Sequence, residues 1–317
     1  MTERAITYAE AVNEALTQAM RQDPKVLCYG LGVTDPKHVF GTTQNLEAKF
    51  GSDRVFDIPC SENAITGIGV GAALRGYKSI ITHQRLDFSL LSMDQIVNSA
   101  AKWHYMFGSQ LNVPITIRMI LGRGWGQGPT HSQNLQAWFA HIPGLKVVCP
   151  SNASDAKGLL LASIFDPNPV IFLEHRWLHN SLSDVDSNYY ELEIGKSSLV
   201  HAGNDITIVT NSYMVPECID AVRYLEDECS ISCDLIDTHS IRPLDRKAII
   251  KSVSKTGKLL CVDTASSSFS VSSEIISSVV KEFSPSVGNL IQKIGLPDMP
   301  EPTSYGLTKN FYLNADD

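Results

Sequence analysis

The sequence predicts an α/β fold, a doubly wound parallel sheet followed by a second α/β unit. Three observations carry that expectation. Short β-branched runs alternate with helical patterns from end to end, as in parallel sheets covered by helices on both faces. The 317 residues amount to about two domains at roughly 150 residues each. One polar stretch, residues 180–188 with Ser181, Ser183, Asp184, Asp186 and Ser187, interrupts the alternation and is the expected linker.

Taken in order, strands are expected at 26–29, 55–58, 79–82, 115–119, 146–149 and 170–173, each a short run rich in β-branched residues. Helical patterns lie between them at 8–21, 62–75, 89–103, 131–140 and 153–165. Beyond the linker, strands at 206–210, 233–237 and 259–263 alternate with helices near 214–226, 245–252 and 271–283. No short internal repeat is present.

A hydrophobic fraction of 43% and a charged fraction of 19% describe a chain able to bury a sizeable core. Disorder, collagen and coiled coil are excluded. With 26 basic against 34 acidic residues, the net charge of -8 disfavours nucleic acid or an anionic membrane surface as the main partner. No apolar run is long enough to span a membrane and residues 1–25 lack a signal-peptide pattern, so a cytoplasmic location is expected. The seven cysteines are an odd number without CxxC spacing. They read as buried, reduced thiols rather than a disulfide frame or zinc site.

Gly67, Gly69, Gly71 and Ala72 formally fit a dinucleotide fingerprint, with Asp87 twenty residues after Gly67. That fingerprint begins in the turn after its strand, whereas these glycines fall inside the next helix, where close packing explains them better. No GxxxxGK[ST] occurs, which excludes a P-loop. Gly122, Gly124, Gly126 and Gly128 alternate in a loop after the 115–119 strand; such a loop admits a ligand close to backbone, and equally serves as a plain turn. Glu62 opens a helix just past a strand's C-terminal end, where open α/β sheets bind ligands; a first-turn carboxylate favoured by the helix dipole is the bland reading. His131, at the end of the glycine loop, suits acid or base work, yet it is one of nine histidines. Phe88 reads as a core aromatic.

Taken together, SENAITGIGVGAALRG (61–76), DFSLLSMDQIVNSAAKWHYMFG (87–108), VPITIR (113–118), GPTHSQNLQAWFAHIPGLKVVCPSNASDAKGLL (128–160), DPNPVIFLEH (166–175), DITIVTNSYMV (205–215), IDTHSIRPLD (236–245) and SVSKTGKLLCVD (252–263) follow one order over most of the chain. In these stretches the sequence resembles the β chain of the first component of 2-oxo acid dehydrogenases of the pyruvate, branched-chain and acetoin type. The resemblance implies a transketolase-like, pyrimidine-binding domain over 1–185 and a transketolase C-terminal domain over 186–317. It implies thiamine diphosphate bound between two chains, with the diphosphate and Mg2+ held by an α chain through a GDG motif that this sequence lacks. The chain is therefore expected to work only in an α2β2 assembly.

Carried over residue by residue, Glu62 matches the acid that hydrogen-bonds N1′ of the aminopyrimidine, an exchange suited to an enclosed Glu with a raised pKa. Phe88 matches the ring that packs on the pyrimidine, and Cys60 and Gln84 align with lesser neighbours. His131 matches the histidine that manages protons near the reacting carbon and in transfer to lipoamide. A structural potassium ion in the family aligns with Ile115, Ser163, Ile164, Asp166 and Asn168, where Asp-Pro-Asn reads equally as a turn. The implied reaction is decarboxylation of a 2-oxo acid and acyl transfer to lipoamide. Ketol transfer or carboligation by a split transketolase-like enzyme is the alternative, and a non-catalytic paralogue the third reading. Arg85 and Leu86 replace small or aromatic family residues, Arg123, Trp125 and Gln127 occupy the glycine loop, and PDMPEPTSYGL (297–307) departs from the usual ending. Those departures bear on substrate and on docking to a lipoyl acyltransferase core, while surface salt bridging is the bland account of both arginines.

Overall fold

The computed structural model describes residues 3–122, 126–283 and 290–317. The chain opens with β1 (Glu3–Thr7) and α1 (Tyr8–Gln22). Thr7 and Glu10 close a reciprocal capping box at the start of α1, Glu10 N–H donating to Thr7 Oγ1 at 3.2 Å and Thr7 N–H to Glu10 Oε2 at 2.7 Å. The helix buries Ala11, Val12, Ala15, Leu16, Ala19 and Met20, a single 3.6-period stripe. Then follow β2 (Val26–Gly30), α2 (Leu46–Phe50), β3 (Val55–Phe56), α3 (Glu62–Leu74) and β4 (Lys78–His83). The expected helix at 89–103 is a composite: a three-ten turn Leu86–Ser92, a π-type stretch Gln95–Ala100 and α4 (Ala101–Met106). Next come β5 (Ile115–Leu121), α5 (Gln136–His141), β6 (Lys146–Val148), α6 (Ala153–Phe165) and β7 (Val170–His175).

The polar stretch expected as a linker holds β8 (Leu182–Asp186), which pairs antiparallel with β1. Its mostly polar sequence is satisfied because the strand belongs to a two-stranded ribbon and buries only Val185. The second series runs β9 (Ser198–His201), β10 (Ile206–Thr210), α7 (Met214–Cys229), β11 (Cys233–Asp237), β12 (Ser240–Arg242), α8 (Arg246–Thr256), β13 (Leu259–Ser266), α9 (Val271–Glu282), β14 (Ile291–Leu296) and α10 (Tyr305–Thr308).

The larger sheet has the order β12-β6-β7-β5-β4-β2-β3, parallel except for β12. The smaller has the order β14-β13-β10-β11-β9, with β9 antiparallel. Every residue of β5 is buried, as a central strand covered on both faces requires. Strand β12 leaves the second series to extend the first sheet, Ser240 opposite Val148 and Arg242 opposite Val147. The two series are thereby joined, and one apolar cluster runs from Ile81, Ile117 and Phe139 to Ile236, Ile249 and Val271. Of the seven thiols, Cys60 and Cys229 are exposed, against expectation, because Cys60 lies in the loop between β3 and α3 and Cys229 is the last residue of α7; the other five are buried and free.

Gly69 explains why α3 lies so close to the sheet. A Cβ there would stand 2.6 Å from the Tyr29 hydroxyl and 2.9 Å from Ile81 Cδ1, whereas a Cβ on Gly71 would meet nothing within 4 Å. Gly69→Ala should destabilise the chain by about 1–3 kcal/mol through overpacking, while Gly71→Ala should be neutral or stabilising by up to about 1 kcal/mol through helix propensity. Urea unfolding of the two variants measures the contrast, and equal effects would refute this packing account.

Candidate active site at the strand ends

Strands β2 to β7 of the large sheet run parallel and end on one side. Strand β2 lies between β3 and β4, so the winding reverses beside it, the point at which open α/β sheets bind ligands. Two glycines let the backbone pack closely at this point. A Cβ on Gly30 would fall 2.2 Å from the Thr82 carbonyl oxygen, and one on Gly32, at φ +81°, would fall 1.8 Å from Gln84 Nε2. The Gln84 side chain therefore occupies space that only glycine at position 32 leaves free.

Glu62 opens α3 just beyond β3, its carbonyl accepting from Thr66 Oγ1 at 2.8 Å. Phe88 lies in the three-ten turn after β4, against which α3 packs. Its ring meets His131 edge-on, with centroids 5.5 Å apart and planes at 86°. Asp87 accepts a 2.7 Å hydrogen bond from Gln133 Nε2, so the turn carrying Phe88 is tied to the loop carrying His131. Gln84, Glu62, Phe88 and His131 are all half-buried, and Cys60 is exposed. The enclosed Glu62 expected from sequence is thus half-exposed in the single chain, its neighbours Ser61, Asn63 and Ala64 being exposed as well, so the described residues leave the first turn of α3 uncovered.

Two further expectations change. Residues 131–135 are loop, and α5 begins only at Gln136. The local pattern is overridden there by tertiary hydrogen bonds, Gln133 to Asp87 and Asn134 Nδ2 to the Ser132 carbonyl and Glu301 at 3.3 Å each. Arg85 is not in a surface salt bridge: it is 5% exposed, and donates to the Gly122 carbonyl at 3.2 Å and to Gln127 Oε1. Burial lowers its pKa, followed by the neighbouring Arg176 charge. Arg123, Gly124 and Trp125 lie outside the described residues.

The positions aligned with a potassium ion gather at the opposite end of the sheet. Ile115 begins β5, Ser163 and Ile164 close α6, and Thr116 Oγ1 donates to the Ser163 carbonyl at 3.0 Å. Asp166 accepts the Asn168 N–H at 2.9 Å, as a turn would have it, and its other oxygen is held by Lys146. The length of β5, about 20 Å at 3.3 Å per residue, separates this cluster from His131's end.

Comparison with known proteins decides the family. The transketolase pyrimidine-binding domain matches residues 4–180 and the transketolase C-terminal domain matches residues 195–317. The chain is 40% identical over 311 residues to the pyruvate dehydrogenase E1 component subunit beta-1, mitochondrial, of Arabidopsis thaliana, covering 96% of this chain and 85% of that one. It is 38% identical over 304 residues to the E1 subunit beta of Rickettsia bellii, covering 96% and 93%. The chain belongs to the E1 beta-subunit family. To the beta subunit of the acetoin:2,6-dichlorophenolindophenol oxidoreductase of Cupriavidus necator, identity is 37% over 311 residues, covering 95% and 91%. A split-gene transketolase, solved as an inactive β4 tetramer, superposes with a TM-score of 0.80 at 20% identity, covering 98% of this chain and 95% of that one, a likeness of fold. Among the described residues, no helix is long and apolar enough to cross a membrane.

For an E1 beta subunit, these side chains are of the types that could hold half of a cofactor: a half-exposed aromatic ring in Phe88, which meets His131 edge-on, and a half-exposed carboxylate in Glu62. Sequence reading missed Gln133, Asn134, Gln136, Asp263 and Glu301, which hold the His131 loop. It also missed His83 at the end of β4, whose pKa burial pushes down to about 4, leaving it neutral.

Asp155, Asp237 and His239 form a cluster of metal-type ligands at the junction of the two series. Their bonds are already taken. His239 Nε2 lies 3.1 Å from Asp155 and 3.6 Å from Asp237, His239 N–H donates to Asp237 at 3.0 Å, and Ser151 donates to the same carboxylate. An ion pair between α6 and the β11–β12 turn accounts for them. Burial pushes the Asp237 carboxyl up from 3.8 to about 6, against the opposing charge of His239. Burial alone would lower the His239 pKa, but the Asp155 hydrogen bond and the Asp237 charge raise it.

Both shifts are upward, so folding takes up protons here and the cluster's contribution to stability falls as pH rises. For Asp237 the loss develops from about 4 to about 6; for His239 it begins above the unfolded imidazole value of about 6.5. The stability of the native chain relative to Asp237→Asn should therefore decline between pH 4 and pH 6 in urea titrations. A pH-independent difference would show that Asp237 does not titrate in that window.

Proposed function

We propose that this chain is the β half of a thiamine diphosphate-dependent 2-oxo acid dehydrogenase, which decarboxylates a 2-oxo acid and passes the acyl group to lipoamide. The observation that carries the reading is the placement of Glu62 at the start of α3, Phe88 in the turn after β4 and His131 in the loop after β5, in a chain whose relatives are named E1 beta subunits. The division into residues 1–185, for the pyrimidine ring, and 186–317, as the C-terminal domain, belongs to the same proposal.

When bound, thiamine diphosphate supplies the electron sink for loss of carbon dioxide. Glu62 holds a proton at N1′ of the aminopyrimidine, and Phe88 provides the apolar surface for the ring, with Cys60 and Gln84 at its margin. His131, in edge contact with Phe88, moves protons at the reacting carbon and during acyl transfer. The diphosphate and Mg2+ fall to an α subunit, since no GDG occurs here. A structural potassium ion near Ile115, Ser163, Ile164, Asp166 and Asn168 lies outside the chemistry, and the Asp166 carboxylate there is already engaged by Lys146. Docking to a lipoyl acyltransferase core is part of the reading.

Exposed apolar side chains support the need for a partner. Ile68 on α3, Leu91 in the three-ten turn and Tyr105 on α4 are 62%, 66% and 87% exposed, large apolar side chains of the kind a partner subunit would cover. A covering subunit there also closes water away from Glu62, whose own chain leaves it half-exposed. The likeness to split-gene transketolase is one of fold and favours no ketol transfer.

In the assembled enzyme, Glu62→Gln should slow hydrogen–deuterium exchange at thiazolium C2 by roughly 100-fold or more without lowering the thermal midpoint; unchanged exchange would refute its role. His131→Ala should retain cofactor binding and reduce lipoamide reduction by roughly 100-fold, with a smaller effect on dye-coupled decarboxylation of pyruvate, used as the probe substrate. Equal losses in both assays would count against acyl transfer as its task.

A further inference from the structure

We propose that the carboxyl-terminal segment 301–312 is a strap that positions the His131 loop, with Glu301 and Thr303 as its positioning residues. The inference rests on the reading of His131 above and adds residues from the other end of the chain. On the near side of His131, Gly126 and Gly128 adopt left-handed backbone, φ +66° and +76°. A Cβ on Gly126 would stand 2.5 Å from the Thr303 carbonyl oxygen, and one on Gly128 would stand 2.5 Å from Thr303 Oγ1. The glycines are thus required twice, by conformation and by the strap lying against them. His131 N–H donates to the Gly128 carbonyl at 3.2 Å, so whatever fixes Gly128 fixes the turn that carries the imidazole.

The far side is held from the same segment. Glu301 is 8% exposed; its Oε1 accepts from Asn134 Nδ2 at 3.3 Å and its Oε2 from the Tyr312 hydroxyl at 2.6 Å. Asn134 also donates to the Ser132 carbonyl, which orders the residues directly after His131. Two residues on, Gln136 Nε2 donates to Asp263 at 2.7 Å and to Thr264 at 3.1 Å, both on β13. The strap is itself anchored, Phe311 being buried and Ala315 N–H donating to Glu217 on α7 at 3.0 Å.

A loop of left-handed glycines has little internal rigidity, while a proton-transferring imidazole must stay within about half an ångström of its working position. Here the rigidity is imported from the second series. Glu301 and Thr303 touch no reacting atom in this account; they act through the loop.

The test compares the assembled enzyme, this chain with its α partner, with Glu301→Ala, Glu301→Gln and Thr303→Gly, each alone and combined with His131→Ala. Glu301→Ala and Thr303→Gly should cut kcat for lipoamide reduction at least about tenfold with the KM for pyruvate changed less than about twofold, because geometry at the histidine is lost rather than substrate binding. Glu301→Gln, which keeps an acceptor for Asn134, should recover most of the rate. In the His131→Ala background neither substitution should cost more than about twofold further, the non-additivity of residues acting as a unit. Amide hydrogen exchange over residues 126–134 should accelerate at least about tenfold while α1 is unaffected.

Equal fold-losses in both backgrounds, or unchanged exchange over 126–134, would overturn the strap and leave the proposed function standing. Full lipoamide reduction by His131→Ala alone would instead overturn that function and the strap with it. Should Glu301→Ala fail to assemble, Thr303→Gly at an exposed position decides between the same outcomes.

Discussion

The bidentate ion pair of Arg118 and Glu174 fixes the part of the sheet on which the site depends. Arg118 Nε and Nη2 donate to the two carboxylate oxygens at 2.7 and 2.9 Å, and both side chains are fully enclosed between β5 and β7. An enclosed pair of this kind is weak evidence for net stability, since its desolvation cost offsets much of the attraction. Its value here is register. Sliding β7 against β5 by one residue would separate the charges, and leaving either unpaired would cost about 3–5 kcal/mol. With that register set, Leu121 stands opposite His175, and the next residue, Gly122, turns left-handed at φ +76° under the His175 ring, where a Cβ would lie 2.2 Å from Nε2. The departure of the glycine loop is thus determined at the central strand of the sheet.

From that departure point the electrostatics follow a consistent pattern. Arg85, after β4, spends its charge on the Gly122 carbonyl and on Gln127, binding the start of the loop to the neighbouring strand end. Asp87, two residues later, receives Gln133 on the other side of His131. A cation and an anion from one short turn therefore grip the loop before and after its histidine, and Phe88, next in the chain, meets the imidazole edge-on. Arg85 and Leu86 thus have a structural role before any effect on substrate choice: Leu86 is fully buried and Arg85 nearly so.

Elements buried on both faces were legible in the sequence, because β-branched runs such as 115–119 and 206–210 have a pattern that only a covered parallel strand explains. Most edge strands were not. Strands β9 and β14 carry exposed or half-exposed residues at most positions, and β12 has three residues whose partner strand, β6, belongs to the first series. The stretch 182–186 reads as a polar loop until β1 is placed beside it. Residues 131–135 have helical spacing, and only hydrogen bonds from elsewhere in the chain keep them out of the helix.

The site divides along the same line. Glu62, just past a strand end, and His131, at the end of the glycine loop, stand out in the sequence but ambiguously, and Phe88 reads as a core aromatic; all three take a role only through the family resemblance. Glu301 and Asp263 are invisible because they act at separations of 167 and 127 residues, on Asn134 and Gln136 respectively. The loop carrying His131 is thereby held from both sheets, through Asp87 after β4 and through Asp263 on β13. Such an arrangement makes the C-terminal series more than an assembly surface. Since β12 extends the first sheet and Asp263 accepts from α5, any shift of the second series relative to the first is transmitted directly to the residues flanking His131.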